Sequence, residues 1–190
     1  MEQPDTDTAA NRLRELLNYR EHPVTGPEGH SYTAFQARTP TAASPALCDL
    51  DVVEQIGSAV AEVVHHTRAA NPDAGPLPAH VAAVYDWARE HTAHAPEVEQ
   101  ARRDMREYRH YLEHAIAAGD TSVVRPHRCP DCQTFGLFWP RSNGRNVKAL
   151  VVCVNRHCAD RNGGISRAHS LARLAFERVT EQKMLRDCAT

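Results

Sequence analysis

HRCPDCQTF, residues 127–135, sets Cys129 and Cys132 three positions apart with Pro130 between them. Three chemistries use that spacing: a redox dithiol, half of a metal site, or part of a disulfide framework. A second pair, Cys153 and Cys158, follows in CVNRHC and completes the pattern C-x2-C-x20-C-x4-C. The spacer holds FGLFW (135–139) and VKALVVC (147–153), rich in aromatic and β-branched residues, on either side of Asn143-Gly144. Asn-Gly between two such runs is the strongest short hairpin signal. A hairpin there brings the two cysteine turns together and sets four thiolates around one tetrahedral Zn²⁺.

The competing readings meet obstacles. A redox Cys-x-x-Cys opens a helix after a strand, whereas Cys129 and Cys132 precede a strand. Stable disulfides are rare in a reducing cytoplasm. That is the compartment expected here, because MEQPDTDTAANRLRELL (1–17) is acidic and lacks the apolar core of a secretory signal. No apolar run reaches the roughly 18 residues of a membrane span, so no membrane partner is expected. An iron–sulfur cluster also takes four cysteines and stays open as an alternative to zinc. His157, beside Cys158, is an alternative fourth ligand, and His127 is an outside candidate. Cys48 and Cys188 stand apart, the first read as a small apolar residue and the second as part of a fraying tail.

Cys129-Pro130-Asp131-Cys132, the cations Arg141 and Arg145 flanking the hairpin tip, and the closing pair Cys153 and Cys158 resemble a zinc ribbon, in particular the small C-terminal ribbons of type IA topoisomerases. The second knuckle of that family is usually one residue longer and contains Tyr-Pro, which is absent here. The resemblance covers residues 129–158 and implies the ribbon fold and a tendency to touch single-stranded nucleic acid. It does not imply a topoisomerase, whose catalytic domains have no room in 190 residues. The chain as a whole also resembles proteins of actinobacteria and their phages, a likeness that brings no activity with it.

Charge divides at the same place as the pattern. Residues 1–124 hold 10 Lys and Arg against 19 Asp and Glu, and residues 125–190 hold 12 against 5. A basic C-terminal third on an acidic body directs a polyanion to the C-terminal third. Arg128, Arg141, Arg145, Lys148, Arg156, Arg161, Arg167 and Arg173, with the exposed ring expected of Phe138, form the candidate nucleic-acid contacts. Alternation puts Phe135, Leu137 and Trp139 on one face, covering the ribbon core. The preference for Arg over Lys, which occurs only at 148 and 183, fits either phosphate recognition or GC-rich coding. SRAHSLARLAFERV (166–179) reads as a helix capped by Ser166, with Leu171, Leu174, Ala175 and Val179 as its apolar stripe. It either caps the ribbon or turns Arg167, His169 and Arg173 outward toward DNA.

The first 124 residues read as a helical bundle. NRLRELLNY (11–19) forms a short helix, and a Pro/Gly-rich loop spans 22–46, with an extended piece at 31–37. A long helix follows, N-capped by Asp49 or Asp51, with Val52, Ile56, Ala59, Val60 and Val63 inward. The next buries Val81, Val84, Tyr85 and Trp87. The last opens at Pro96, buries Val98, Ala101, Met105, Tyr108, Leu112 and Ile116, and ends at Gly119. Glu62/His65 and Glu107/His110 have the Glu-x-x-His spacing of di-iron bundles. At about 100° per residue both pairs fall away from the apolar faces, so they are assigned to solvent, as are His110/His114, His65/His66 and His91/His94. Nucleophile elbows, phosphate-binding Gly loops and His-Glu-x-x-His are absent from the sequence. Four cysteines close a zinc shell, whereas hydrolysis needs an open position.

The expected architecture is therefore α+β, mainly α: an acidic helical bundle (1–124), then a basic zinc-ribbon β-hairpin with a C-terminal helix (125–190). The expected protein is cytoplasmic and not an enzyme, with one structural Zn²⁺. Its partner is a nucleic acid or, alternatively, a transcription or replication protein on which the ribbon docks. The bundle would hold a protein partner or a second copy.

Overall fold

The computed structural model describes residues 8–21, 45–140 and 150–189. Among them the chain is mainly α with one small antiparallel sheet. Helix α1 (Ala9–Glu21) starts at Thr8, whose Oγ1 accepts from the Asn11 N–H at 3.2 Å, and it buries Leu13 and Leu16. Helix α2 (Pro45–Ala70) begins earlier than expected. Pro45 is favourable at a helix start because its missing N–H would be unbonded there anyway. Asp49 and Asp51 thus lie inside the helix, and residues 45–46 belong to it rather than to the loop. The rest of that loop, with its extended piece at 31–37, lies outside the described residues.

Helix α3 (Val84–His91) follows a single 3₁₀ turn and buries Val84, Tyr85, Trp87 and Ala88, while Val81 is exposed. Helix α4 (Glu97–Ala117) has Pro96 at its N-cap. At its other end the Asp120 N–H bonds the Ala115 carbonyl at 2.8 Å and the Gly119 N–H bonds that of Ile116 at 2.9 Å. This is a Schellman ending, and it holds Gly119 at φ +92°, where an L side chain is strained.

The buried face of α4 differs from the expected one. Leu112 is fully buried, but Val98 is exposed, and His110, Tyr111, His114 and Ala115 are buried instead. The reason is position. Helix α4 is packed by α1, α2 and α3 and also by the C-terminal helix α6 (Leu171–Ala189), so no single stripe describes its inner surface.

The sheet has the order β1-β2-β3. β1 (Leu137–Phe138) pairs antiparallel with β2 (Leu150–Cys153), Leu137 opposite Cys153, as the hairpin reading requires. The tip with Asn143-Gly144 lies outside the described residues. β3 (Ala168–Ser170), unanticipated, pairs antiparallel with β2 and sets His169 opposite Val151. It occupies what was read as the first turn of the last helix. The cap is Ser170 rather than Ser166: its Oγ accepts from the Arg173 N–H at 3.2 Å, and Leu171, Leu174, Ala175 and Val179 are buried as expected. One apolar cluster runs from Ala9 through Tyr85 and Leu112 to Cys129, Val151 and Leu174.

Candidate metal centre and the surfaces around it

The tight turn after β2 is built by Asn155, whose side chain accepts from the His157 N–H and caps the short helix α5 (Arg156–Asp160). That cap turns Cys158 inward. On the first knuckle the Cys129 N–H bonds the Thr134 carbonyl at 3.0 Å and the Gln133 N–H bonds that of Cys129 at 2.8 Å, with Gln133 at φ 58°. The result is convergence. The sulfurs of Cys129, Cys132, Cys153 and Cys158 all lie within 4.8 Å of one another. Cys132 and Cys153 are 3.8 Å apart, the edge expected of a tetrahedron with metal–sulfur bonds of about 2.3 Å. Cys129, Cys153 and Cys158 are buried and Cys132 is half-buried. The donor set is soft and could hold one metal ion.

Other side chains complete the shell. The Thr134 hydroxyl lies 3.1 Å from the Cys132 sulfur, and the Asn155 amide donates to it at 3.8 Å. Burial raises the Cys132 thiol, but the hydrogen bonds it makes with Thr134, and then with Cys129 and Cys153, together outweigh this and bring it down to about 6. Burial pushes the Cys153 thiol up to about 12. Because metal ligation needs thiolates, binding would expel protons. His169 Nε2 stands 3.4 Å from the Cys129 sulfur.

The candidate fourth ligands separate cleanly. Cys158 is in the cluster, whereas His157 is exposed and outside it. His127 is engaged elsewhere, with Nε2 2.8 Å from the Tyr108 hydroxyl and Nδ1 3.3 Å from the Val124 carbonyl. Cys188 is exposed on α6.

The candidate nucleic-acid residues do not form one equivalent set. Arg141, Arg145 and Lys148 lie outside the described residues. Arg128, Arg156 and Arg161 are exposed and make no ion pair among the described residues. Arg167 instead pairs with Asp131 at 3.3 Å and Arg173 with Glu177 at 2.6 Å. His169, outward only in the DNA-recognition alternative, is buried, because β3 replaces the start of the helix. Phe138 is 50% exposed and Phe135 60%. Phe135 thus leaves the face it was expected to share with Leu137 and Trp139. Strand β1 begins only after Gly136, so alternation fails to carry across it, and the ring lies under the Arg128 guanidinium at 4.4 Å.

A second polar cluster sits inside the bundle. The Tyr85 hydroxyl is 3.1 Å from His110 Nδ1 and 2.9 Å from His114 Nε2, and all three side chains are buried. Glu62 is 3.3 Å from His110 Nε2 and pairs with Arg109. Burial, and then Arg109 beside it, lowers His110 to about 4, and burial lowers His114 to about 4. The assignment of His110 and His114 to solvent is therefore corrected. The rest of the di-iron argument stands on a different footing: Glu107 is held by Arg89 through two hydrogen bonds, at 3.0 and 2.6 Å, and His65 is exposed. Among the described residues, only the four cysteines form a group that could hold a metal.

No described helix is long and apolar enough to cross a membrane. No family model, curated protein or solved structure matches the chain.

Proposed function

We propose that this chain is a non-enzymatic zinc-ribbon protein that binds nucleic acid through its basic C-terminal third. Cys129, Cys132, Cys153 and Cys158 would hold one structural Zn²⁺. The observation that carries this reading is the convergence of four mostly buried sulfurs from two knuckles across one antiparallel pair. A complete thiolate shell leaves no position for an activated water, so the ion's chemistry is structural. It supplies folding free energy to a sheet too small to fold alone, of order 10–16 kcal/mol in zinc-finger peptides.

The cations Arg128, Arg156 and Arg161, unpaired by acids among the described residues, support a phosphate-binding surface. Arg141, Arg145 and Lys148 of the hairpin tip extend the same reading. Arg167 and Arg173 fit it less well, since Asp131 and Glu177 already neutralise them. The test is zinc content and nucleic-acid affinity of the full chain across salt. One zinc per chain and an affinity falling steeply with salt are expected. No binding at low salt sinks the nucleic-acid half.

One observation favours a second reading, a protein adaptor. Phe138, Phe135, Val154 and Ile165 are exposed apolar residues of the ribbon, the composition of a docking surface for a transcription or replication protein. A partner retained by the chain and lost on Phe138→Ala, with no nucleic-acid binding, would decide for it.

A further inference from the structure

We propose that His169 is the hydrogen-bonding partner of the metal centre, donating its Nε2–H to the Cys129 thiolate and thereby tightening metal binding. The inference rests on the structural-metal reading above and adds to it a residue that no ligand pattern contains.

Four thiolates around a divalent ion leave a net charge of −2, and here the site is largely removed from water. Buried charge is tolerated only when hydrogen-bonded, and N–H donors to ligand atoms are the usual means of holding and tuning a metal site. Cys132 receives Thr134 and Asn155. Cys129 is fully buried, and the side chain that reaches it from outside the cluster is His169, at 3.4 Å. A ligating thiolate presents only lone pairs, so the nitrogen facing it must carry the proton. This fixes the imidazole tautomer with hydrogen on Nε2.

The position of His169 is held by the ladder with β2 and by the residues on either side of it. The Cys153 N–H bonds the Arg167 carbonyl at 2.9 Å, and Val151 pairs with His169 itself in the ladder. The Arg167–Asp131 ion pair ties the residue that leads into this strand to the first knuckle. Immediately downstream, Ser170 caps α6. His169 is 8% exposed. Helix α6 and the metal knuckle are thus joined through one strand, and His169 is where that strand touches the cluster.

The experiment uses the full chain and three variants: His169→Ala, His169→Gln and, as a volume-filling check should the alanine variant fail to fold, His169→Phe. Zinc affinity is measured by competition with a chromophoric chelator, and cobalt(II) replaces zinc for spectroscopy. Removal of the donor in His169→Ala is expected to weaken zinc binding about 10–100-fold. It should also shift the sulfur-to-cobalt charge-transfer bands while leaving the tetrahedral d–d envelope of four sulfurs. His169→Gln, whose amide still donates, should bind within a few-fold of the parent, and His169→Phe should behave as the alanine variant. Parent-like affinity in both donor-less variants overturns the proposal. So does a glutamine variant as weak as alanine, or a d–d envelope showing that a nitrogen ligand was lost. If the parent chain itself gives no tetrahedral cobalt spectrum, the metal reading fails instead, a distinguishable result.

Discussion

The Tyr85 hydroxyl stands 2.9 Å from Nε2 of His114, and its other contact, His110 Nδ1, is 3.1 Å away. One hydroxyl therefore joins α3 to two turns of α4 inside the bundle. A phenol has one proton to give and lone pairs to accept with, so at most one imidazole accepts from it and at least one donates to it. Tyr85→Phe keeps the ring and leaves two buried nitrogens without a partner. An unmade buried hydrogen bond costs about 1–3 kcal/mol, so a loss of that order or somewhat more is expected in urea unfolding at neutral pH. A change below about 0.5 kcal/mol, the size usual for surface substitutions, would mean that the hydroxyl is not part of a bonded network.

The same pair makes the bundle acid-sensitive, with a defined sign. In the unfolded chain His110 and His114 titrate near 6.5, and in the fold burial holds both at about 4. Between those values the unfolded chain binds more protons, so stability falls as pH drops through about 6.5 toward 4 and levels off below. Each histidine contributes a few kcal/mol over that window by the usual linkage. Zinc release follows the same direction, so the informative quantity is a difference. His110→Gln/His114→Gln should show a shallower fall of the helical melting temperature between pH 7 and 5 than the parent. Equal slopes would contradict the burial of these two imidazoles.

How much of this was legible in the sequence depends on the kind of signal. The four cysteines were readable because ligand spacing is local and the hairpin between them has its own turn chemistry. The long helices were readable from periodicity, though the short α5 was not, and Gly119 was readable from the need for φ > 0 after a helix. His110 and His114 were misplaced because a single stripe was drawn on α4, and stripe logic assumes a helix packed on one side. Here His110 and His114 meet Tyr85 of α3, and His110 also meets Glu62 of α2, whereas Tyr108 of the expected stripe meets His127. His169 was missed for a local reason. Ser166 and Ser170 are both good caps, and choosing the earlier one turned a three-residue strand into helix. Taking Ser170 would have left Ala168-His169-Ser170 extended, with the histidine opposite to its two exposed neighbours.

The fourth ligand can be tested at adjacent positions. Cys158 is buried among the sulfurs, and His157 is exposed beside it. Cys158→Ala should reduce bound zinc well below one per chain and lower the melting temperature of the ribbon. His157→Ala should retain full zinc and parent-like stability. Metal analysis after gel filtration against a chelator reads both, and the reverse pattern would place the histidine in the shell.

Ion pairing predicts which arginines matter to a polyanion. Arg156 within the second knuckle and Arg161 just after it have no acidic partner among the described residues, whereas Arg173 is held 2.6 Å from Glu177. Each phosphate contact contributes close to one unit to the slope of log affinity against log salt. Arg156→Ala/Arg161→Ala should therefore flatten that slope by about two and weaken binding at low salt. Arg173→Ala frees Glu177 and removes little contact of its own, so its slope should stay near the parent's, with a small uniform loss of affinity from the released carboxylate. Fluorescence anisotropy with a labelled oligonucleotide at several salt concentrations measures all three. If the Arg173 variant flattens the slope and the double variant does not, the binding surface lies along α6 and not beside the cysteine knuckles.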